Sequence, residues 1–153
     1  MRRADKEIMQ KNIINKIISE AEVCRIGLSN GNKPYIIPMN FGYKDDCVYL
    51  HSAREGRKLD IMKANENVCF EVESQVELVK DENPCNWSAK YYSVIGFGKA
   101  TIIDDHDEKR KALDLIMEKY SGKTSHEYSK ESISKIVVIK VILHNVYGKK
   151  SGY

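Results

Sequence analysis

Apolar side chains recur every three or four residues near the start of the chain, at Met9, Ile13, Ile14, Ile17, Ile18 and Ala21. That spacing predicts an amphipathic helix with one buried face, and Asp5 is placed to cap its start. The pattern then changes. Val23 to Leu28 and Tyr35 to Tyr43 read as strands on either side of Asn30-Gly31-Asn32-Lys33, and an Asn-Gly pair between strand-like runs is the strongest short-range hairpin signal. Asp45-Asp46 marks a second turn before Cys47-Val48-Tyr49-Leu50-His51, so three strands follow one another as an antiparallel meander. Ser52, with Glu55 three residues on, has capping-box spacing and predicts a second helix from near Ala53 through Ile61, Met62 and Ala64.

Period two returns at Val68-Cys69-Phe70-Glu71-Val72-Glu73, a strand with one wet face. Residues 80–87, with Asp81, Glu82, Asn83 and Pro84, read as a loop, and a long strand follows from Tyr91 to Ile103. It contains Gly96-Phe97-Gly98. With no third glycine and no helix opening after it, this pair is not a dinucleotide loop; it marks a bulge, a bend or the close approach of another backbone or a ligand. Asp104, Asp105, Asp107 and Glu108 precede Leu113, Ile116, Met117 and Tyr120, which predicts a third amphipathic helix with acids in its first turn and a stop at Gly122. After a polar stretch over 123–132, Ile136 to Leu143 reads as a largely buried last strand. Pro38 cannot donate to a ladder, so its strand is expected at an edge or bulged near Pro38-Met39-Asn40. About six strands and three helices predict a mainly β (α+β) fold, a small six-stranded antiparallel barrel with peripheral helices.

Composition narrows the functional classes. At 153 residues and 42% hydrophobic content the chain suits a single domain over residues 1–153. Its 25 Lys and Arg against 22 Asp and Glu leave a formal charge of +3 with interspersed signs, which gives no footprint for nucleic acid. No run has the length of a membrane span, and Met1-Arg2-Arg3-Ala4-Asp5-Lys6-Glu7 lacks the apolar core of a signal peptide, so a cytoplasmic location is expected. Cys24, Cys47, Cys69 and Cys85 are widely spaced, with no C-x-x-C pair, and read as buried reduced thiols; no metal site is expected.

The chemistry concentrates in His51-Ser52-Ala53-Arg54-Glu55-Gly56-Arg57-Lys58-Leu59-Asp60. Arg54, Arg57 and Lys58 fall at a helix start, where the macrodipole is already positive, so either the side chains are solvated or the cluster holds an anion such as a phosphate. Cys47 and His51 share a strand face but sit about 13 Å apart, too far for a nucleophile and its base. His51 is either a hydrogen-bonded structural residue or a ligand contact beside the cations. Trp87, Tyr91 and Tyr92 cluster after the loop and suit a core, an interface or a stacking surface. No G-x-S-x-G elbow, P-loop or H-E-x-x-H occurs.

Read together, Pro34-Tyr35-Ile36-Ile37-Pro38-Met39-Asn40-Phe41-Gly42-Tyr43, Tyr49-Leu50-His51-Ser52-Ala53 with Gly56-Arg57-Lys58-Leu59, Val68-Cys69-Phe70-Glu71-Val72 and Tyr92-Ser93-Val94-Ile95-Gly96-Phe97-Gly98-Lys99-Ala100 resemble the pyridoxamine 5′-phosphate oxidase-like, FMN-binding split-barrel superfamily. The similarity is to its nitroimidazole-resistance (Nim-type) branch and covers nearly the whole chain. The resemblance implies a homodimer with FMN at the subunit interface. It puts Ser52, Arg57 and Lys58 on the FMN phosphate and Pro38, Met39, Asn40 and Phe41 along the isoalloxazine. Trp87, Tyr92 and Ser93 would reach the flavin from the partner subunit, and His51 is the candidate catalytic residue. The implied activity is an FMN-dependent oxidoreductase acting on a small oxidant such as a nitroaromatic; the alternative is a non-catalytic flavin-, haem- or deazaflavin-binding module. The basic substrate-binding residues of true pyridoxamine phosphate oxidases are not evident in Tyr147-Gly148-Lys149-Lys150-Ser151-Gly152-Tyr153, so vitamin B6 oxidation is not expected.

Overall fold

The computed structural model describes residues 4–153; Met1, Arg2 and Arg3 of the charged N-terminal run lie outside the described residues. In chain order the elements are β1 (Glu7–Ile8), α1 (Lys11–Glu20), β2 (Cys24–Asn30), β3 (Lys33–Met39), β4 (Gly42–Lys44), β5 (Cys47–Ala53), α2 (Arg57–Ala64), β6 (Asn67–Val79), β7 (Ser88–Ile103), α3 (His106–Ser121), α4 (Lys130–Ser134) and β8 (Ile136–Ser151). The sheet is antiparallel throughout, in the order β3-β2-β6-β7-β8-β5-β4, with β1 added to the far end of β8. Among the described residues no helix is long and apolar enough to cross a membrane.

The sheet has eight strands where six were expected. One extra strand is β1, whose Glu7 and Ile8 pair with Lys149 and Gly148. The other arises because Tyr35 to Tyr43 is not one strand but two, β3 and β4, which form the opposite edges of the sheet. Only Asn40 and Phe41 connect them, so the sheet must curl until its edges approach, yet β3 and β4 share no ladder and the barrel stays split. Phe41 explains the break. Its side chain is fully buried against Phe70, ring centroids 5.7 Å apart, and its N–H donates to Tyr120 Oη at 3.0 Å instead of to a strand. At Gly42 a Cβ would stand 2.9 Å from the backbone of Ile116, so α3 lies directly against β4.

The expected hairpins form. Asn30 pairs with Lys33 across Gly31 and Asn32, and Lys44 pairs with Cys47 across Asp45 and Asp46, both left-handed at φ 51° and 58°. The glycine pair on β7 marks a bulge: opposite Phe97 and Gly98, β8 carries Asn145 and Leu143 with His144 inserted. A Cβ at Gly98 would lie 2.3 Å from the Ile142 carbonyl oxygen.

Two helix starts differ from expectation. Asp5 does not cap α1, which begins at Lys11 after Gln10, because the preceding residues are drawn into β1. The Ser52–Glu55 capping box does not form: Ser52 and Ala53 still belong to β5, paired with Val137 and Ile136, and α2 starts only after Gly56 at φ 132°. α3 begins as predicted, with Asp105 accepting from the N–H groups of Asp107 and Glu108, and ends on left-handed Gly122. The five-residue α4, capped by Ser129, lies in the stretch that reads as merely polar. One core runs through α1, the sheet's inner face and α2, the last contributing Leu59, Ile61 and Met62.

Lys109 of α3 is buried, and its three ammonium protons are used, on Asp104 Oδ1 and the carbonyls of Ile133 and Ile136, each at 3.0 Å. Arg54 donates to both Asp104 carboxylate oxygens and to the Ser134 carbonyl. The bonds from Arg54, then from Lys109, hold the Asp104 carboxyl down from 3.8 to about 2. A depressed carboxyl stabilises the fold fully above its unfolded value and loses that contribution as pH falls through the folded one. Acid titration of the wild type should therefore show a loss of stability between pH 3.8 and about 2 that is absent from Asp104→Asn, measured by denaturant midpoint against pH. Gly98→Ala should cost about 1–3 kcal/mol through overpacking at the bulge, read from urea unfolding.

Candidate functional site

The site forms where the two sheet edges approach. On β3, Pro34 and Pro38 lie opposite Ser29 and Arg25 and, having no N–H, occupy the positions that face away from the β2 ladder. Of the outward positions 34, 36 and 38, only Ile36 keeps an N–H. The proline reading of an edge strand holds, and the edge is left with carbonyls and few donors.

Across from it, β5 turns successive side chains to opposite faces. His51 is exposed on the outer face and Ser52 is buried on the inner one. A pocket of about 230 Å³ lies here, lined by Ile37, Pro38, Met39, Asn40, His51 and Lys58. Five of the residues singled out from sequence thus meet in one place: Pro38, Met39, Asn40, His51 and Lys58. Ile37 was not among them.

The cationic cluster separates into individual fates. Arg54 is spent on Asp104 and is not part of an anion site. Arg57 lies over the Tyr35 ring, 4.8 Å from its centroid, a contact that orients the guanidinium at the first position of α2. Lys58 lines the pocket and has no counter-ion among the described residues. The first turn also holds Asp60 and the last holds Lys63, so the helix is less at odds with its macrodipole than the three cations alone suggested. Gly56 caps α2 without a side-chain bond, which leaves the first-turn N–H groups uncapped by the protein's side chains.

Ser52 Oγ is buried and, like Ser74 Oγ, has no hydrogen-bond partner among the described residues. Orphaned hydroxyls are uncommon in folded proteins and mark a place where a further group belongs. It stands at the end of β5, five residues before Arg57 opens α2. Of the three residues expected on a phosphate, only Lys58 lines the pocket; Ser52, on the inner face, and Arg57 do not. The unpaired Lys58 and the helix start without a side-chain cap are chemically suited to an anion.

The remaining residues lie elsewhere in the chain. Phe41 is in the core with its N–H taken by Tyr120, whose hydroxyl in turn donates to Glu22 O at 2.7 Å. Trp87 is half exposed and donates its indole N–H to Asp81 O at 2.7 Å. Tyr92 stacks on Tyr153 at 4.6 Å and lines a different cavity of about 580 Å³. Ser93 sits mid-sheet between Glu73 and Lys149. None of these four lines the pocket at His51. Tyr35 and Ile37 went unnoticed, although the alternation of β3 puts them on one face with Met39. All four cysteines are free, but only Cys24 and Cys47 are buried as expected; Cys69 is half-buried and Cys85, in the loop before β7, is exposed. Burial pushes the Cys24 thiol up to about 12, so it stays protonated.

Comparison with known proteins places this geometry. The family described as pyridoxamine 5′-phosphate oxidase matches over residues 10–150. A proposed 5-nitroimidazole antibiotic resistance protein from Bacteroides thetaiotaomicron superposes with a TM-score of 0.84 at 36% identity, over 94% of this chain and 86% of that one. The FAD and heme binding protein of Mycobacterium smegmatis superposes with a TM-score of 0.85 at 18% identity, over 97% and 74% of the two chains. For the flavocytochrome Anf3 of Azotobacter vinelandii the values are 0.84, 18%, 100% and 72%. A search of curated proteins gives no match. With the family pattern running through both sheet edges and the helix between them, the chain belongs to the pyridoxamine 5′-phosphate oxidase family, in its split-barrel fold and beside the nitroimidazole-resistance relative.

Proposed function

We propose that this protein binds FMN and works in the cytoplasm as an oxidoreductase that reduces a small oxidant such as a nitroaromatic. The observation that carries this reading is the pocket at the split, where Pro38, Met39, Asn40, His51 and an unpaired Lys58 converge. The 36% identity to the proposed 5-nitroimidazole resistance protein favours a nitroaromatic as the oxidant. Bound there, a flavin would supply the electron transfer between a reductant and that oxidant.

The chain's own residues divide the remaining work. Lys58, Arg57, Ser52 and the first N–H groups of α2 take the phosphate, with the Tyr35 ring beside the Arg57 guanidinium. The rim at Pro38 to Asn40 offers backbone carbonyls to a planar ring. His51, on the outer face of β5, lines the pocket, where its imidazole can pass a proton to a substrate oxygen.

A pocket of about 230 Å³ is smaller than the roughly 300–1,000 Å³ usual for a cofactor-sized ligand, which favours a site completed by a second chain. We assign Trp87, Tyr92 and Ser93 to that completion, in a homodimer. Ile95, Phe97, Ile142 and Tyr147 support it: they form an apolar patch on the sheet's outer face, each 40–48% exposed, with Phe97 edge-on to Tyr147.

Protein mixed with FMN and freed of excess should keep flavin bands in its visible spectrum. Arg57→Ala with Lys58→Ala should weaken FMN binding at least tenfold, since a hydrogen bond to a charged group contributes about 1.5–3 kcal/mol; unchanged affinity would remove the phosphate assignment. His51→Ala should retain flavin while turnover of a nitroimidazole with NADH or NADPH falls by about a hundredfold. Flavin retained by the wild type with no reduction by either donor would overturn the oxidoreductase reading and leave a binding module.

A further inference from the structure

Resting on the reading of a flavin site completed by a second copy, we propose that Tyr91 is the hydrogen-bond donor which that copy adds to the site, its hydroxyl serving a ring carbonyl of the flavin. Lys149 is the positioning residue that aims it.

The alternation of β7 selects Tyr91. Val94, Gly96, Gly98 and Ala100 are buried on the inner face, and Ile95, Phe97 and Lys99 are exposed on the outer one. The ladder between β7 and β8 runs from Tyr91 to Phe97 without a register shift, so the alternation carries back to Ser93 and Tyr91, which fall on the outer face as well. That is the face of the apolar patch assigned to the dimer, and giving Ser93 to the second copy brings Tyr91 with it. Tyr92 takes the inner face, where it is stacked on Tyr153, and backs the strand from behind.

The side chain of Tyr91 is prepared for the task. Lys149, the cross-strand partner of Ser93, shares the outer face. Its ammonium donates to Tyr91 Oη at 3.0 Å and lies 5.4 Å from the centroid of that ring. The bond uses an acceptor position of the phenol and leaves the hydroxyl proton without an acceptor among the described residues. On its other side Lys149 pairs across the ladder with Glu7 of β1, which has a partner of its own. A lysine between a carboxylate and a phenol is suited to aiming the hydroxyl rather than to holding an anion.

The pocket at His51 lacks what Tyr91 offers. Its β3 rim has carbonyls and few N–H groups, and its one lysine, Lys58, goes to the phosphate in the reading above. The ring carbonyls of a flavin accept hydrogen bonds, and a rim of carbonyls cannot serve them. An O–H group brought by the second copy supplies the missing donor.

The test measures FMN affinity, from the quenching of flavin fluorescence, for the wild type, Tyr91→Phe, Lys149→Met and the double variant, with near-UV circular dichroism and sedimentation to follow fold and assembly. Tyr91→Phe should weaken binding about three- to tenfold, the loss of one hydrogen bond, and Lys149→Met should weaken it less. The double variant should bind no worse than Tyr91→Phe, because a lysine that acts through the phenol then has nothing to aim. Mixed dimers show which chain the tyrosine serves. Tyr91→Phe co-expressed with the Arg57→Ala/Lys58→Ala chain should regain wild-type affinity at about a quarter of the sites, those that join an intact phosphate site to the other chain's intact Tyr91. Wild-type protein that keeps no flavin would sink the flavin reading and this inference together. If the wild type binds FMN, equal affinity in Tyr91→Phe or no recovered sites in the mixture overturns the inference alone, and additive losses in the double variant overturn the role given to Lys149.

Discussion

The molecule depends on how Phe41 is anchored. A strand that ran on unbroken from Lys33 to Lys44 would extend one edge of the sheet and leave the other far away. Burying the Phe41 ring, and giving its N–H to Tyr120, turns the chain within two residues, so that the edge beginning at β3 and the edge ending at β5 and β4 face each other. The anchor is itself braced. Tyr120 is bonded to Glu22 and Lys119 lies over the Phe41 ring at 4.4 Å, so the last turn of α3 holds the junction. Without this turn Pro38 and His51 would have no reason to share a pocket.

A second constraint is electrostatic. Lys109 is taken out of water and survives there because each of its protons has an acceptor, two of them backbone carbonyls that flank the α4–β8 connection. Asp104 then serves two cations, Arg54 from the end of β5 and Lys109 from α3. The arrangement removes Arg54 from the region of Lys58 and gives the nearby loop a fixed position. One arginine that looked like part of a ligand site is thus a piece of the scaffold, and the basic character of the site rests on its two neighbours.

Much of the fold was legible because its signals are local. The hairpin at Gly31, the paired aspartates at 45 and 46, the acids at the start of α3 and the Gly122 stop are each decided within four residues, and the structure follows them. What was illegible depended on partners distant in sequence. Ser52 and Glu55 have capping-box spacing, but β8 holds Ser52 in the ladder, and a strand pairing outweighs a cap. Nothing local in Tyr35 to Tyr43 announces that Tyr120 will interrupt it. For the site, the Pro38 edge and the cations of α2 could be read directly. Arg54 could not be told from Arg57 without Asp104, and the grouping of Trp87 with Tyr92 concerns two residues that line no common cavity in one chain.

The prolines of β3 have a consequence for assembly. A strand edge that accepts but scarcely donates cannot complete the reciprocal ladder that a second strand would need. Addition of a further strand at the β3 edge is thereby disfavoured. The same two residues that leave the rim of the pocket poor in donors therefore also make this edge a poor template for another strand.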